Sequence, residues 1–274
     1  MSGCTLINGY FNNTLSVDDR GLTYGDGLFD TLLVVDGYPR FYQKHFQRLQ
    51  RDCARLGLPV CMDVLANDLN RLLEKCSFPS NKAVLKTIIT RGVGARGYCV
   101  SEKSSLTRIM SLKPITKAPK QDGLHLTVCD TRLSQNPVLG GIKHLCCLDN
   151  VLARNEWRTD NVDEGLMLDV SGNIVEGTYS NLFWLKGNEL YTPDVSWCGV
   201  AGVVREVIIE QLAPQLGMTV RVGRYKLDEL YRADELFVTN SLMEIASVAR
   251  IGCYASFVSE RTMELKEVLG TINA

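Results

Sequence analysis

Three apolar runs in this chain are each folded back by a glycine turn. "TLLVVDGYPRF" turns at Asp36–Gly37, "GLMLDVSGNIVEG" at Ser171–Gly172–Asn173, and "NLFWLKGNELYTP" at Lys186–Gly187–Asn188. Two short strand-like runs joined by so few residues form an antiparallel hairpin. "CTLINGYF" carries the same signal at its Asn-Gly step. Between the hairpins, "YQKHFQRLQRDCARLGL" spaces Phe46, Leu49, Cys53 and Leu56 at a helical period and stops at Gly57. "MDVLANDLNRLLEKC" and "VVREVIIEQLAPQLG" are two further helices, and "AVLKTIITRG", "SLTRIMSLKPI", "LHLTVCD" and "DELFVTNS" are strands. Hairpins mixed with helices, rather than strict strand–helix alternation, predict an α+β fold.

A chain of 274 residues suits one large domain or two modest ones. "KPITKAPKQDG" holds two prolines and three lysines with little to bury, so it is the expected boundary. The reading is a small N-terminal domain over 1–113, a linker over 114–123 and a larger C-terminal domain over 124–274. The chain is 45% hydrophobic with a net charge of −1, so no field favours nucleic acid or an acidic membrane. No apolar run reaches the roughly 20 residues of a membrane span. "MSGCTLINGYFNN" has no basic region before an apolar core, so no secretory signal is expected and the chain is read as cytoplasmic. Ten cysteines are scattered without a CxxC pair beside only three histidines, which argues against a metal site. In a cytosolic chain they are read as small buried hydrophobes.

"GGIKHLCCLDNVLARNE" sets Lys143 between a glycine pair and an apolar-rich segment that looks like a packed helix. A lysine among apolar neighbours loses hydration, and its neutral amine can then join a carbonyl. The alternative is an ammonium that snorkels to water along a helix edge. "GVAGVVREVII" puts Gly199 and Gly202 before a helix whose first amides, at Val203 and Val204, suit an anion. Asn240 and Ser241 end the strand "DELFVTNS" with further donors, and Arg48 in "HFQRL" can fork onto a phosphate. Each feature is as readily a plain cap, turn or solvated face. Glu176 in "NIVEGTYSNLFW" is a turn glutamate by itself, but beside a buried lysine and a phosphate cradle it can keep a pyridine nitrogen protonated.

Eight segments in order resemble the branched-chain/D-amino-acid aminotransferase superfamily, the fold type IV pyridoxal-phosphate enzymes. They are "YGDGLFDT", "HFQRL", "TRGVGARGY", "GIKHL", "DEGLMLD", "VEGTYSNLF", "GVAGVVRE" and "ADELFVTNS", spread over nearly the whole chain. The resemblance implies a two-domain fold, a small N-terminal α/β domain with a larger β-rich domain, usually as a homodimer. It implies pyridoxal 5'-phosphate as cofactor, Lys143 as the lysine that carries it, and Glu176 as partner of its ring nitrogen. Arg48, Val203, Val204, Asn240 and Ser241 match the phosphate site. Arg96 and Tyr98 match positions that hold a substrate carboxylate; Arg91 serves there instead or only organises the loop. Thr31 and "GIKHL" resemble the lyase members, which convert aminodeoxychorismate to 4-aminobenzoate and pyruvate for folate synthesis. There Thr31 would relay a proton to the departing group. The alternative within the family is an aminotransferase of D- or branched-chain amino acids.

Overall fold

The computed structural model describes residues 3–76, 81–94, 96–100, 105–158, 161–253 and 255–272. The chain forms two compact units, Met1–Ala118 with Lys143–Cys146, and Pro119–Ile142 with Cys147–Asn273. Lys143 thus belongs with the first unit, although the sequence reading put it in the C-terminal domain.

The first unit contains β1 (Cys4–Ile7), β2 (Tyr10–Phe11), α1 (Arg20–Tyr24), β3 (Gly27–Val35), β4 (Tyr38–Pro39), α2 (Tyr42–Arg55), α3 (Met62–Lys75), β5 (Lys82–Thr90) and β6 (Thr107–Pro114). Among the described residues its sheet has six strands in the order β2-β1-β6-β5-β3-β4, every pair antiparallel. The β3–β4 hairpin turns where expected, with positive φ at both Asp36 and Gly37, the conformation a two-residue hairpin requires. Strand alternation sends Leu28, Leu32 and Val34 to one face of β3, where they pack with Leu85, Ile89, Met110 and Leu112 against Phe46, Leu49, Leu65 and Leu69 of the helices. The opposite face of β3 carries Phe29 and Thr31. Register places Phe29 across from Ile88, and Thr31 across from Lys86.

The second unit contains β7 (Leu124–Leu133), α4 (Leu148–Arg154), β8 (Glu164–Asp169), β9 (Ile174–Gly177), β10 (Asn181–Lys186) and β11 (Glu189–Pro193). Next, α5 (Val203–Val207) continues through a π-helical turn (Ile208–Leu212) into α6 (Ala213–Gln215). The unit ends with β12 (Thr219–Gly223), α7 (Leu227–Leu230), β13 (Glu235–Asn240), β14 (Glu244–Ile251), β15 (Ala255–Ser256) and α8 (Glu260–Thr271). Its mixed sheet runs β12-β11-β10-β13-β14-β7-β8-β9, with β15 on β14. Central strands β10 and β13 are buried on both sides, which is why "NLFWL" and "ELFVT" are nearly continuous apolar runs. Phe183 and Phe237 sit directly opposite each other and stack at 5.1 Å.

Two expectations fail. The segment after Lys143 is not a packed helix: only Leu148–Arg154 is helical, and Leu148, Val151 and Leu152 are exposed. Its apolar residues are numerous, but they do not face a core of their own unit. The cysteines are not uniformly buried either. Cys4 and Cys76 form a disulfide between β1 and the end of α3, and Cys61, Cys99, Cys146 and Cys253 are exposed. Among the described residues no helix is long and apolar enough to cross a membrane, and no cluster of three His, Cys, Asp or Glu is placed to hold a metal.

Candidate active site

In the first unit, β4 pairs only with the far end of β3, and residues 143–145 run along the remaining edge near Gly27–Phe29. The Phe29 amide donates to the Lys143 carbonyl at 2.9 Å, and the Leu145 amide to the Gly27 carbonyl at 3.1 Å. An edge strand with unpaired amides accepts such a segment readily. This pairing fixes the Lys143 backbone, and its Nζ lies 4.4 Å from the centre of the Phe29 ring. The dry flank expected from the residues after Lys143 is supplied instead by Phe29. Lys86 Nζ approaches the same ring at 5.3 Å. Two ammonium groups around one ring make this region attractive to an anionic ligand. Sequence reasoning missed Lys86. Its alternation in "AVLKTIIT" marks a non-core position, but only strand register puts it beside Thr31.

Arg48 lies on the other face of the sheet. It is buried, and its Nε and Nη2 donate to Asp30 Oδ2 at 3.0 and 2.6 Å. His45 Nδ1 stands 2.6 Å from Asp30 Oδ1. Burial works to raise the Asp30 carboxyl, but the Arg48 charge and then His45 outweigh it and hold the group well below the usual carboxylate range.

The loop after β5 carries Arg91, Arg96 and Tyr98. Arg91 is committed: Nε donates to Asp26, Nη1 to the Gly57 carbonyl and Nη2 to that of Leu56. Arg96 and Tyr98 are exposed.

In the second unit, Glu176 is buried at the end of β9, and its Oε2 accepts from Asn181 Nδ2 at 3.2 Å and from the Val200 amide at 2.9 Å. Gly199 has φ +86°, and a Cβ there would fall 2.7 Å from Val175 and 3.2 Å from the Glu176 carboxyl, so the chain closes on Glu176 only without a side chain. The turn joining β9 to β10 is built around Glu164, buried, which accepts from Thr178 Oγ1 at 2.6 Å and Ser180 Oγ at 2.8 Å. Burial pushes the Glu164 carboxyl up despite these bonds. Gly141 pairs with the Gly199 loop: its amide donates to the Gly199 carbonyl, and its carbonyl accepts from the Ala201 amide.

Near this carboxylate, Asn181 stands opposite Thr239 in the β10–β13 pairing. Thr239 Oγ1 is buried and has no hydrogen-bond partner among the described residues. Helix α5 packs on β13 and starts at Gly202, so the amides of Val203 and Val204 have no helix carbonyl four residues behind them. Asn240 Oδ1 is taken by the amides of Leu242 and Met243, and Ser241 is half-buried in that turn. An orphaned buried hydroxyl, a helix start and a fixed carboxylate form a donor and acceptor set suited to a phosphorylated heterocycle.

The model of the family described as amino-transferase class IV matches residues 27–251. Aminodeoxychorismate lyase of Vibrio harveyi is 32% identical over 251 residues, covering 89% of this chain and 90% of that protein. The crystal structure of 4-amino-4-deoxychorismate lyase from Pseudomonas aeruginosa superposes with a TM-score of 0.91 at 39% identity, covering 97% of both chains. Branched-chain amino acid aminotransferase of Escherichia coli follows at a TM-score of 0.88 and 25% identity, covering 99% of this chain and 95% of that one. The match spans the strand of Thr31, the edge segment of Lys143 and the carboxylate turn of Glu176, and the chain belongs to the class IV amino-transferase family.

Proposed function

We propose that this chain is a pyridoxal-phosphate-dependent lyase converting 4-amino-4-deoxychorismate to 4-aminobenzoate and pyruvate. The observation that carries the reading is the open face of β3 and β5. There Lys143 Nζ stands over Phe29, and Thr31 follows on the same face, opposite Lys86. The identity to lyases over nearly the whole chain supports the substrate.

Bound pyridoxal phosphate supplies an electron sink for the electron pair left when the substrate's amine-bearing carbon loses its proton. Lys143 is the residue that would hold the cofactor, and its Nζ, when free, would take that proton as general base. Glu176 keeps a proton on the ring nitrogen. Val203, Val204 and the Asn240–Ser241 turn would hold the phosphate, Ser241 with its hydroxyl and Asn240 through its backbone; the resemblance adds Arg48, whose Nε and Nη2 are bonded to Asp30 on the other face of β3. Arg96 and Tyr98 take a substrate carboxylate, with Lys86 as a second cation. Arg91 is assigned to loop organisation because its guanidinium is already shared among Asp26, Gly57 and Leu56. Thr31 Oγ1 delivers a proton toward the departing enolpyruvyl group as the ring becomes aromatic.

The deciding experiment mixes purified protein with aminodeoxychorismate and follows 4-aminobenzoate by fluorescence, beside a D-alanine/2-oxoglutarate transamination assay. Aminobenzoate release supports the lyase; transamination without it replaces this reading with the aminotransferase. Thr31→Val keeps the β-branched shape and removes the hydroxyl. It is expected to slow aminobenzoate release by about 100-fold, the scale of one general acid–base group, with cofactor absorbance unchanged. Unaltered turnover removes Thr31 from the reaction.

The same reading places the protein in the cytoplasm as a homodimer. The exposed Leu148, Val151 and Leu152, one face of α4, support a covering copy.

A further inference from the structure

An exposed loop of the first unit follows β5, and it is braced by one buried arginine that no role above uses. Arg20, at the start of α1, is 4% exposed. Its Nε donates to Asp26 Oδ2 at 2.9 Å, its Nη1 to the Gly97 carbonyl at 2.8 Å and its Nη2 to the Tyr98 carbonyl at 3.3 Å. The guanidinium also lies 4.8 Å from the centre of the Tyr24 ring. Tyr24 adds two holds on the same loop: its hydroxyl accepts from the Gly97 amide at 3.0 Å, and its ring meets Tyr98 edge-on at 5.6 Å. Gly97 and Tyr98 are therefore held by side chains where a strand ladder is absent, while Arg96 and Tyr98 remain exposed.

Asp26 ties this brace to the sheet. It bonds Arg20 and Arg91 together and sits immediately before β3, the strand of Phe29 and Thr31. One guanidinium plane therefore links the loop to the strand that presents the reactive face. We propose that Arg20 is the positioning residue of the substrate-carboxylate loop, setting Arg96 and Tyr98 in place for the carboxylate without touching it. This rests on the assignment of Arg96 and Tyr98 to substrate binding. A planar fork with several donors is what the arrangement uses, and lysine cannot reproduce it.

The test compares Arg20→Lys, Arg96→Gln and Tyr24→Phe in the cofactor-loaded enzyme. Arg20→Lys loses a charge-assisted pair of carbonyl bonds, and KM for aminodeoxychorismate is expected to rise about tenfold, with kcat within about threefold. The inhibition constant of 4-aminobenzoate should rise in parallel, while the cofactor dissociation constant, read by absorbance titration, stays unchanged. Tyr24→Phe removes only the acceptor of the Gly97 amide and should raise KM about two- to threefold with an unaltered Tm, so the proposal stands or falls on it if Arg20→Lys does not fold. Arg96→Gln reports on the underlying assignment: an unchanged KM there overturns the loop's role and the proposal with it. A raised KM in Arg96→Gln beside a wild-type KM in Arg20→Lys and Tyr24→Phe overturns the positioning role alone. Equal weakening of cofactor binding in Arg20→Lys also overturns it, because that marks general damage rather than a misplaced loop.

Discussion

Lys143→Ala is expected to abolish the visible absorbance of lysine-bound pyridoxal phosphate and to lower aminobenzoate release by about 1,000-fold or more, since one side chain is both the attachment point and the base. The structure separates that loss from misfolding. The bonds that anchor this segment to β3 run through the Lys143 carbonyl and the Leu145 amide, which alanine at position 143 leaves intact. The Lys143 side chain contributes a contact with Phe29 worth on the order of 1 kcal/mol. Tm should therefore move by only a few degrees. Lys86 provides the control, as the other ammonium on the same ring. Lys86→Ala should keep the visible band. A band that survives in Lys143→Ala and is fixed by borohydride, but is lost in Lys86→Ala, would move the attachment to Lys86.

The contrast between these lysines shows which parts of the molecule are legible in sequence. Local chemistry is: a two-residue turn at Asp36–Gly37 needs positive φ at both positions, and a helical period in "YQKHFQRLQRDCARLGL" needs only spacing. The turn around Glu164 is not legible in this way, because Thr178 and Ser180, which donate to its carboxylate, lie 14 and 16 residues further along the chain. Pairings between distant segments are not legible either. The parallel neighbours β7–β8, β14–β7 and β11–β12 carry no turn that announces them. The β12 and β14 segments, "TVRVG" and "EIASVARI", are polar-interrupted, so their strand character comes from the neighbours they join. Residues 143–145 look like the start of a helix for the same reason: the apolar content around them is high, but their backbone partners belong to β3, more than a hundred residues away. The Cys4–Cys76 link spans a sequence separation of 72, and scattered cysteines do not reveal such a pairing. Arg91 and Arg96 look alike in "TRGVGARGY"; only the structure shows that one is consumed by Asp26 and two carbonyls.

The second large effect concerns the buried charge behind the sheet. Asp30→Ala is expected to cost about 3–5 kcal/mol of stability, because it leaves the Arg48 guanidinium buried without its carboxylate. For a chain of this size that is a fall in Tm of about 10 °C. The acid side of the stability profile follows from the same group. The Asp30 carboxyl is lower in the folded chain than in the unfolded one, so its contribution is complete above the ordinary carboxylate range and is lost as pH falls toward the folded value. Wild type should therefore lose stability below about pH 4 more steeply than Asp30→Ala, which has no such proton to take up. A Tm within 2 °C of wild type, or the same acid slope in both proteins, would falsify the account. Removing the arginine as well tests what the pair is for. Asp30→Ala combined with Arg48→Met takes away the stranded charge and should recover part of the lost stability, as apolar replacements of buried ion pairs often do. If Arg48 holds the cofactor phosphate, the double variant should regain Tm without regaining affinity for pyridoxal phosphate. Recovery of both would make Asp30–Arg48 a structural pair and take Arg48 out of the phosphate site.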